Sequence, residues 1–438
     1  MSSNLYWRLS IMMFFNFLVW GAWNITLGSY LFHLGFAGTE IGGVFSVFYL
    51  AALISPFIGG QITDRYVPAQ IFMGICHFIG GFLLIWLAGI QEYNSMWWIM
   101  FIYSLLFVPS LALTNAICFH HLSNTEKEFG GIRVWGTIGW IVAGLFLTFW
   151  WTFVSPFEIN WNEIQALSES EQATRLSDFL ANESFIFTFA GWASIIYGLY
   201  CFTLPNTPPA KEASNPFAFL EALKLLKDKN FAFFMILCFV FATELMFFYL
   251  PTPGFLQSSL IGIDTKNVPA VITIFAQGAE VITLFLILPY VLPNWGLKKS
   301  LALGVVAWPI RYALFSLAQP WWLVVLALTL HGFCYVFFFV VGQIYVDTVA
   351  PKDIRNSAQS LLTMVTFGLG LYTGSLFTGW VQELFTDNSV VPAVVNYQAL
   401  FLVPTVLTVI CAIAFFFFFK DPRAEGERTG DPVLDHQT

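Results

Sequence analysis

Twelve transmembrane helices, arranged as two pseudo-symmetric six-helix bundles in an all-α polytopic membrane protein, are the fold class this sequence predicts, on three observations. Apolar runs of roughly twenty residues, the length that crosses a bilayer, recur from Leu9 to Phe417 with only short breaks. Charged residues make up 10% of the chain, against about a quarter in soluble domains, while 58% is apolar and 19% aromatic. None of the runs alternates with the two-residue period of a barrel strand, and only helices and closed barrels satisfy every backbone group inside lipid.

The spans are predicted over residues 9–32, 39–62, 69–89, 95–119, 131–152, 184–204, 230–256, 267–293, 299–318, 321–347, 355–381 and 394–419. Their orientation follows from the basic residues. With both termini in the cytoplasm, all of the 18 Lys and Arg face it except Arg175 and Lys266 outside and Arg133 and Arg311 within or at the edge of spans. Such an asymmetry in Lys and Arg sets membrane topology. Residues 1–8 are a short polar start that runs directly into span 1, so no cleaved leader is predicted.

The loops divide the chain. The longest external one, 152–183, is acidic, and the longest internal one carries a Pro-rich stretch and then the basic segment with Lys224, Lys227 and Lys229. The domains are therefore predicted as an N-terminal six-helix bundle at 1–204, a cytoplasmic linker at 205–229, a C-terminal bundle at 230–420 and a tail at 421–438. Asp64-Arg65 with Gly74 in the first half and Lys298-Lys299 with Gly304 in the second lie at similar positions, as do Ile132-Arg133 and Ile354-Arg355. Two related halves split by a basic loop fit a carrier built of two bundles around a central site.

The six cysteines, all inside apolar runs and without CxxC spacing, read as small packing residues, not as disulfides or metal ligands. No metal or cofactor is implied. The net charge of -8 is confined to loops and carries no signal for nucleic acid.

Span 5 opens on the stretch with most chemistry. Arg133, Thr137 and Trp140 stand at i, i+4 and i+7, so a helix presents a guanidinium, a hydroxyl and an indole along one face. That face suits a wet cavity for a small polar, planar molecule. The plainer reading is an arginine snorkelling to the headgroups above small residues that pack on a neighbour. Acids within spans are the next signal, because an ionisable group in the bilayer is by default a functional candidate. Glu280 with Gln277 in span 8 form an i, i+3 pair, and Glu244 lies in span 7. The alternative for Glu280 is a structural pairing with Arg311 or His331.

Gly60-Gln61-Ile62-Thr63-Asp64-Arg65 between spans 2 and 3 resembles the signature of the major facilitator superfamily. More specifically, Trp20-Gly21-Ala22-Trp23 with Thr26-Leu27-Gly28-Ser29-Tyr30, Ile132 to Gly139, Trp308 with Arg311-Tyr312-Ala313-Leu314-Phe315, and Ile354-Arg355 with Ser357-Ala358-Gln359 resemble the bacterial nucleoside:proton symporters of that superfamily. The resemblance covers nearly the whole chain. It implies a major facilitator fold and a secondary transporter that imports nucleosides across the inner membrane by proton symport and alternating access, and no enzyme.

Carried over, the resemblance places the substrate on helices 5, 7, 8 and 10. The candidate binding residues are Arg133, Thr137, Trp140, Met246, Tyr249, Gln277, Glu280, His331 and Tyr335. Ribose hydroxyls suit carboxylate and amide acceptors, the base edge suits Arg or Gln, and an aromatic wall can stack on its plane. Proton coupling falls to Glu280, Glu244 and His331, since burial brings a carboxyl toward the range where it can exchange protons and imidazole titrates near neutrality. Asp64, Arg65, Asp347 and Arg355 are the candidate gate or latch. The chain departs from the family at Met246 and Tyr249, where some members carry amides, and at Val336, where members commonly place an aspartate.

The expected partners are a purine or pyrimidine nucleoside, protons and the lipid bilayer, for a monomer that binds no nucleic acid. Asn16, Trp20 and Trp23 of span 1 either meet the cavity or bridge helices. The rival within transport is a facilitator or symporter for another polyhydroxylated solute such as a sugar, which Val336 and Met246 favour. The rival of another class, a polytopic membrane enzyme, lacks the acid or His clusters such enzymes need.

Overall fold

The computed structural model describes residues 2–55, 61–156, 169–209, 217–351, 354–389 and 393–421. Among them, eleven helices are long and apolar enough to cross a membrane, and one of these, Thr265–Leu317, contains both predicted spans 8 and 9. It turns at Gly296, whose φ of 76° and ψ of 176° are non-helical, a conformation only glycine adopts freely. The chain is thus an all-α membrane protein crossing the bilayer many times. One small departure from helix is the antiparallel pairing of Thr386–Asp387 with Val394–Val395.

Several spans are longer or more broken than the hydropathy pattern alone indicates. Span 1 runs Ser3–Asn24 and resumes at Leu27–His33; span 5 runs Thr125–Phe149 with a π-helical turn at Trp150–Val154. Span 8 is built of a short α-helical piece, Gly278–Ile282, between π-helical turns Thr273–Gln277 and Thr283–Ile287. Span 10 changes to π-helix at Tyr335–Val340, and span 11 at Met364–Gly370. Extra residues per turn re-aim side chains, and such turns gather at functional sites.

The acidic segment 152–183, predicted as a loop, holds a helix, Glu169–Glu183. Its apolar pattern is short: Phe179 and Leu180 are buried while polar neighbours face outward. Phe179 meets the His33 ring at 5.1 Å, and Glu183 contacts His33 Nδ1 at 2.8 Å, which holds the segment to the end of span 1.

The described residues group into two compact units. The first holds spans 1 to 6 together with Leu245–Ile274 and Leu371–Asn396; the second holds Phe217–Glu244, Phe275–Gly370 and the helix from Tyr397. In the first unit glycines set the spacing of helices. A Cβ at Gly139 of span 5 would lie 2.2 Å from the Phe14 carbonyl oxygen of span 1, so spans 1 and 5 touch backbone to backbone, as small residues allow inside membranes. Leu9, Met12, Met13, Met73, Ile117, Ile132 and Tyr197 form a core beside that contact.

In the second unit span 9 packs on spans 10 and 12, and span 8 on span 10. Phe415 and Phe419 of span 12 are buried one turn apart, while Phe416, Phe417 and Phe418 between them are exposed, as expected of a helix with one face on protein and the other on lipid. All six cysteines are buried.

Candidate functional site

The first unit carries the span 5 stripe. Arg133 and Thr137 are half-buried and Trp140 is 9% exposed. The Arg133 guanidinium lies 4.4 Å above the Phe17 ring of span 1, a favourable place for a cation on an aromatic face. Gly136 makes room for it, since a Cβ there would come within 2.7 Å of both Arg133 Nη1 and Phe17. One turn on, Trp140 meets Trp20 edge to face at 5.2 Å and 82°, and Trp20 stacks on Phe48 at 5.0 Å and 19°. The Trp140 indole N–H has no hydrogen-bond partner among the described residues. A cation, a hydroxyl and an indole donor beside a wall of rings can hold a planar solute that has acceptor edges.

The other span 1 residues are helix bridges. Asn16 accepts from Ser110 at 2.8 Å, and Trp23 donates to the Tyr103 hydroxyl at 3.2 Å. In span 7, Met246 is fully buried and Tyr249 half-buried.

The second unit brings together residues from spans 8, 9 and 10. Glu280, 19% exposed, faces His331 with 3.8 Å between Oε2 and Nε2. On the other side of the ring, Arg311 Nη1 lies 3.2 Å from His331 Nδ1. Arg311 is completely buried; it also donates to the Tyr312 hydroxyl at 3.0 Å, and its guanidinium carbon lies 4.6 Å from the Trp308 ring centre and 4.7 Å from that of Tyr312. Tyr312 in turn donates to the backbone carbonyl of Glu244. Tyr335 stacks on His331 at 5.9 Å and 23°.

The approach of spans 8 and 10 depends on Gly332, next to His331. A Cβ there would stand 2.5 Å from the Ala279 carbonyl oxygen and 2.7 Å from Thr283 Oγ1. Gln277 is buried with its amide oxygen unpartnered among the described residues. Val336 is fully buried and apolar, so this part of span 10 offers His331, Cys334 and Tyr335 as its groups able to hydrogen-bond.

Two acids thus lie in very different settings in this unit. Glu280 is open to its surroundings and faces an imidazole. Glu244 is 0% exposed, and neither carboxyl oxygen has a hydrogen-bond partner among the described residues, a costly situation for an ionised group. Of the latch candidates, Asp347 and Arg355 meet at 3.4 Å on an exposed edge, and Arg65 is exposed at the end of the short helix Gln61–Arg65. Gly60 and the side chain of Asp64 lie outside the described residues, as does the tail beyond residue 421.

The arrangement adds Arg311 as the centre of a polar cluster. The available signal was a lone arginine inside an apolar span, which is rarely there without a role. Phe17 and Phe48 are also additions; nothing distinguished them from the other 48 of the chain's 50 phenylalanines.

A family model described as nucleoside H+ symporter matches residues 3–424. The chain is 32% identical to the putative nucleoside transporter YegT of Escherichia coli (strain K12), over 98% of this chain and 96% of that protein. It is 31% identical to the nucleoside permease NupG of the same organism, over 95% and 96% of the two chains. The crystal structure of nucleoside transporter NupG superposes with a TM-score of 0.79 at 29% identity, covering 95% of this chain and 99% of that one.

Proposed function

The chain belongs to the nucleoside H+ symporter family, and from that premise we propose how its residues import nucleosides with protons. It is a secondary transporter of nucleosides, driven by proton symport and opening alternately to the two sides of the membrane. Its place is the bacterial inner membrane with both termini in the cytoplasm, on the side where most Lys and Arg fall, and it works as a monomer.

On this reading Arg133 and the Trp140 indole donate to acceptor edges of the base, Thr137 adds a hydroxyl, and the Trp20–Trp140 wall contacts the ring plane. Glu280 and Gln277 accept from ribose hydroxyls, while Tyr249, Tyr335, His331 and Met246 are the remaining substrate contacts. Glu280 is the coupling acid: protonation removes a charge that is costly inside an apolar span and leaves a carboxyl that still accepts from a ribose hydroxyl and can also donate, so proton and substrate binding favour each other, as symport requires. His331 and Glu244, the other coupling candidates, lie in the same unit. Asp347 with Arg355, and Asp64 with Arg65, serve as latches at the cytoplasmic ends, released as the transporter opens inward.

The observation that carries this assignment is the half-open Glu280 carboxylate facing His331 across 3.8 Å inside an apolar span. Uptake of radiolabelled uridine and adenosine into proteoliposomes, with and without an inward proton gradient, tests it. Native protein accumulates at least one of them above equilibrium, and Glu280→Gln only equilibrates it. Accumulation by Glu280→Gln equal to native would move the coupling proton elsewhere. Failure to take up either nucleoside would return the reading to another polyhydroxylated solute.

A further inference from the structure

Arginine has only donors. When Arg311 Nη1 approaches His331 Nδ1 at 3.2 Å, that nitrogen has to present a lone pair, because an N–H there would point a hydrogen at a hydrogen. The ring proton therefore resides on Nε2, the nitrogen that faces Glu280. The assignment follows from the chemistry of the partner, which is how a histidine tautomer is set.

We propose that Arg311 is a positioning residue for proton coupling: by holding His331 Nδ1 it fixes the imidazole as a neutral Nε2–H donor aimed at the Glu280 carboxylate. The inference rests on the reading of Glu280 as coupling acid and names what sets that acid's environment. The proton of the transport cycle binds to and leaves Glu280. His331 neither gains nor loses one; it offers a hydrogen bond that favours the ionised carboxylate. At 3.8 Å the contact is longer than a hydrogen bond, so small movements of spans 8 and 10 switch it on or off.

Glu280 of span 8 and Arg311 of span 9 face His331, and Tyr335 stacks on it from its own helix; Tyr312 of span 9, Glu244 of span 7 beyond it, and Cys334 lie one contact further out, around Arg311. The stretches 283–287 and 321–328 that also pack there contain no ionisable residue. Arg311 itself is anchored by the Tyr312 hydroxyl and the faces of Trp308 and Tyr312, which keeps its donors on Nδ1.

The test is nitrogen NMR on the full chain with 15N-histidine, with the His331 signals assigned by their loss in His331→Gln. Native protein shows a bare Nδ1 and a protonated Nε2 from about pH 5.5 to 7.5, the window in which a free imidazole changes charge. Arg311→Gln, whose amide oxygen can accept, releases the other tautomer or the doubly protonated ring. In transport, the pH profile of gradient-driven uridine uptake moves by about one unit in Arg311→Gln and partly returns in Arg311→Lys, whereas a merely structural loss lowers uptake equally at every pH.

Two further variants keep the question open to refutation if Arg311→Gln fails to fold. Glutamine reaches the place of Nε2 and asparagine does not, so uptake by His331→Asn falls about tenfold further than by His331→Gln, the scale of one hydrogen bond to a charged group. A proton on Nδ1 in the native protein, or equal losses in the two His331 variants, overturns the proposal. Absence of proton-driven uridine uptake in the native chain would sink the functional reading instead, and the NMR result would still decide the tautomer.

Discussion

Arg133 and Arg311 are both arginines of apolar spans, one in each unit, and they are handled in opposite ways. Arg311 is fully buried, with donors on His331 Nδ1 and the Tyr312 hydroxyl and two rings against its faces. Arg133 is half-buried on the Phe17 ring and, among the described residues, has no carboxylate within ion-pairing distance. An exposed cation–π contact stabilises by about 0.5–1 kcal/mol, far less than a guanidinium loses with its hydration. Arg133 therefore stays where water or a polar solute can reach it. The difference teaches that a charge inside an apolar span reads as a binding group when its donors are left over, and as a positioning group when internal acceptors take them.

The largest effect that can break this comparison is Arg133→Ala. Removal of charge-assisted hydrogen bonds to substrate costs about 1.5–3 kcal/mol, so uridine uptake at low concentration falls roughly ten- to hundredfold, while the thermal unfolding midpoint in detergent stays near native. Arg133→Lys recovers part of the loss, since a point charge lacks the planar fork. A collapse of stability in Arg133→Ala would place Arg133 with Arg311 as a structural cation.

Next comes Gly332→Ala, which attacks the other member of the pair through its support. A methyl group 2.5 Å from the Ala279 carbonyl forces spans 8 and 10 apart at a cost of about 1–3 kcal/mol and lengthens the His331–Glu280 contact. A lowered unfolding midpoint and weakened accumulation in the proton gradient are expected together. Unchanged coupling would mean that the spacing of these two side chains is immaterial.

A smaller effect belongs to Glu244→Gln. Both carboxyl oxygens lack a partner among the described residues and the side chain is sealed from solvent, so a neutral amide of the same shape replaces it with little loss. Gradient-driven uptake within about threefold of native, on the order of 0.6 kcal/mol, is expected. Loss of coupling as complete as in Glu280→Gln would show that the sealed acid exchanges protons during transport.

The two arginines also differ in how far the sequence reveals their roles. The positions of the apolar spans, the stripe of Arg133, Thr137 and Trp140, and the mid-span acids follow from hydropathy and helical period, both local properties. The helix Glu169–Glu183 escaped because Leu176, Phe179 and Leu180 make an apolar stripe of barely one turn in an acidic stretch. The commitment of Arg311 to Nδ1 was out of reach for a different reason. It depends on three spans meeting at distances set by Gly332 and on π-helical turns that rotate side chains away from the 3.6-residue period. Those are properties of packing between segments far apart in the chain.

The smallest effect is expected at Asp347 and Arg355, where the charges meet at 3.4 Å with 53% and 38% of the side chains exposed. An exposed ion pair contributes about 0–1 kcal/mol and is screened by salt. Asp347→Asn therefore leaves the unfolding midpoint within about 2 °C of native. A latch shows itself in rate, because it stabilises one conformation over another by the same small amount. Uridine uptake by Asp347→Asn changes by at most about fivefold in maximal rate, with KM untouched. The charge swap Asp347→Arg with Arg355→Asp decides between a pair and two separate residues: if the double variant turns over at the native rate while each single one does not, the contact itself is what gates. If the singles and the double are alike, Asp347 and Arg355 are only a solvated edge, and the latch reading is lost for this end of span 10.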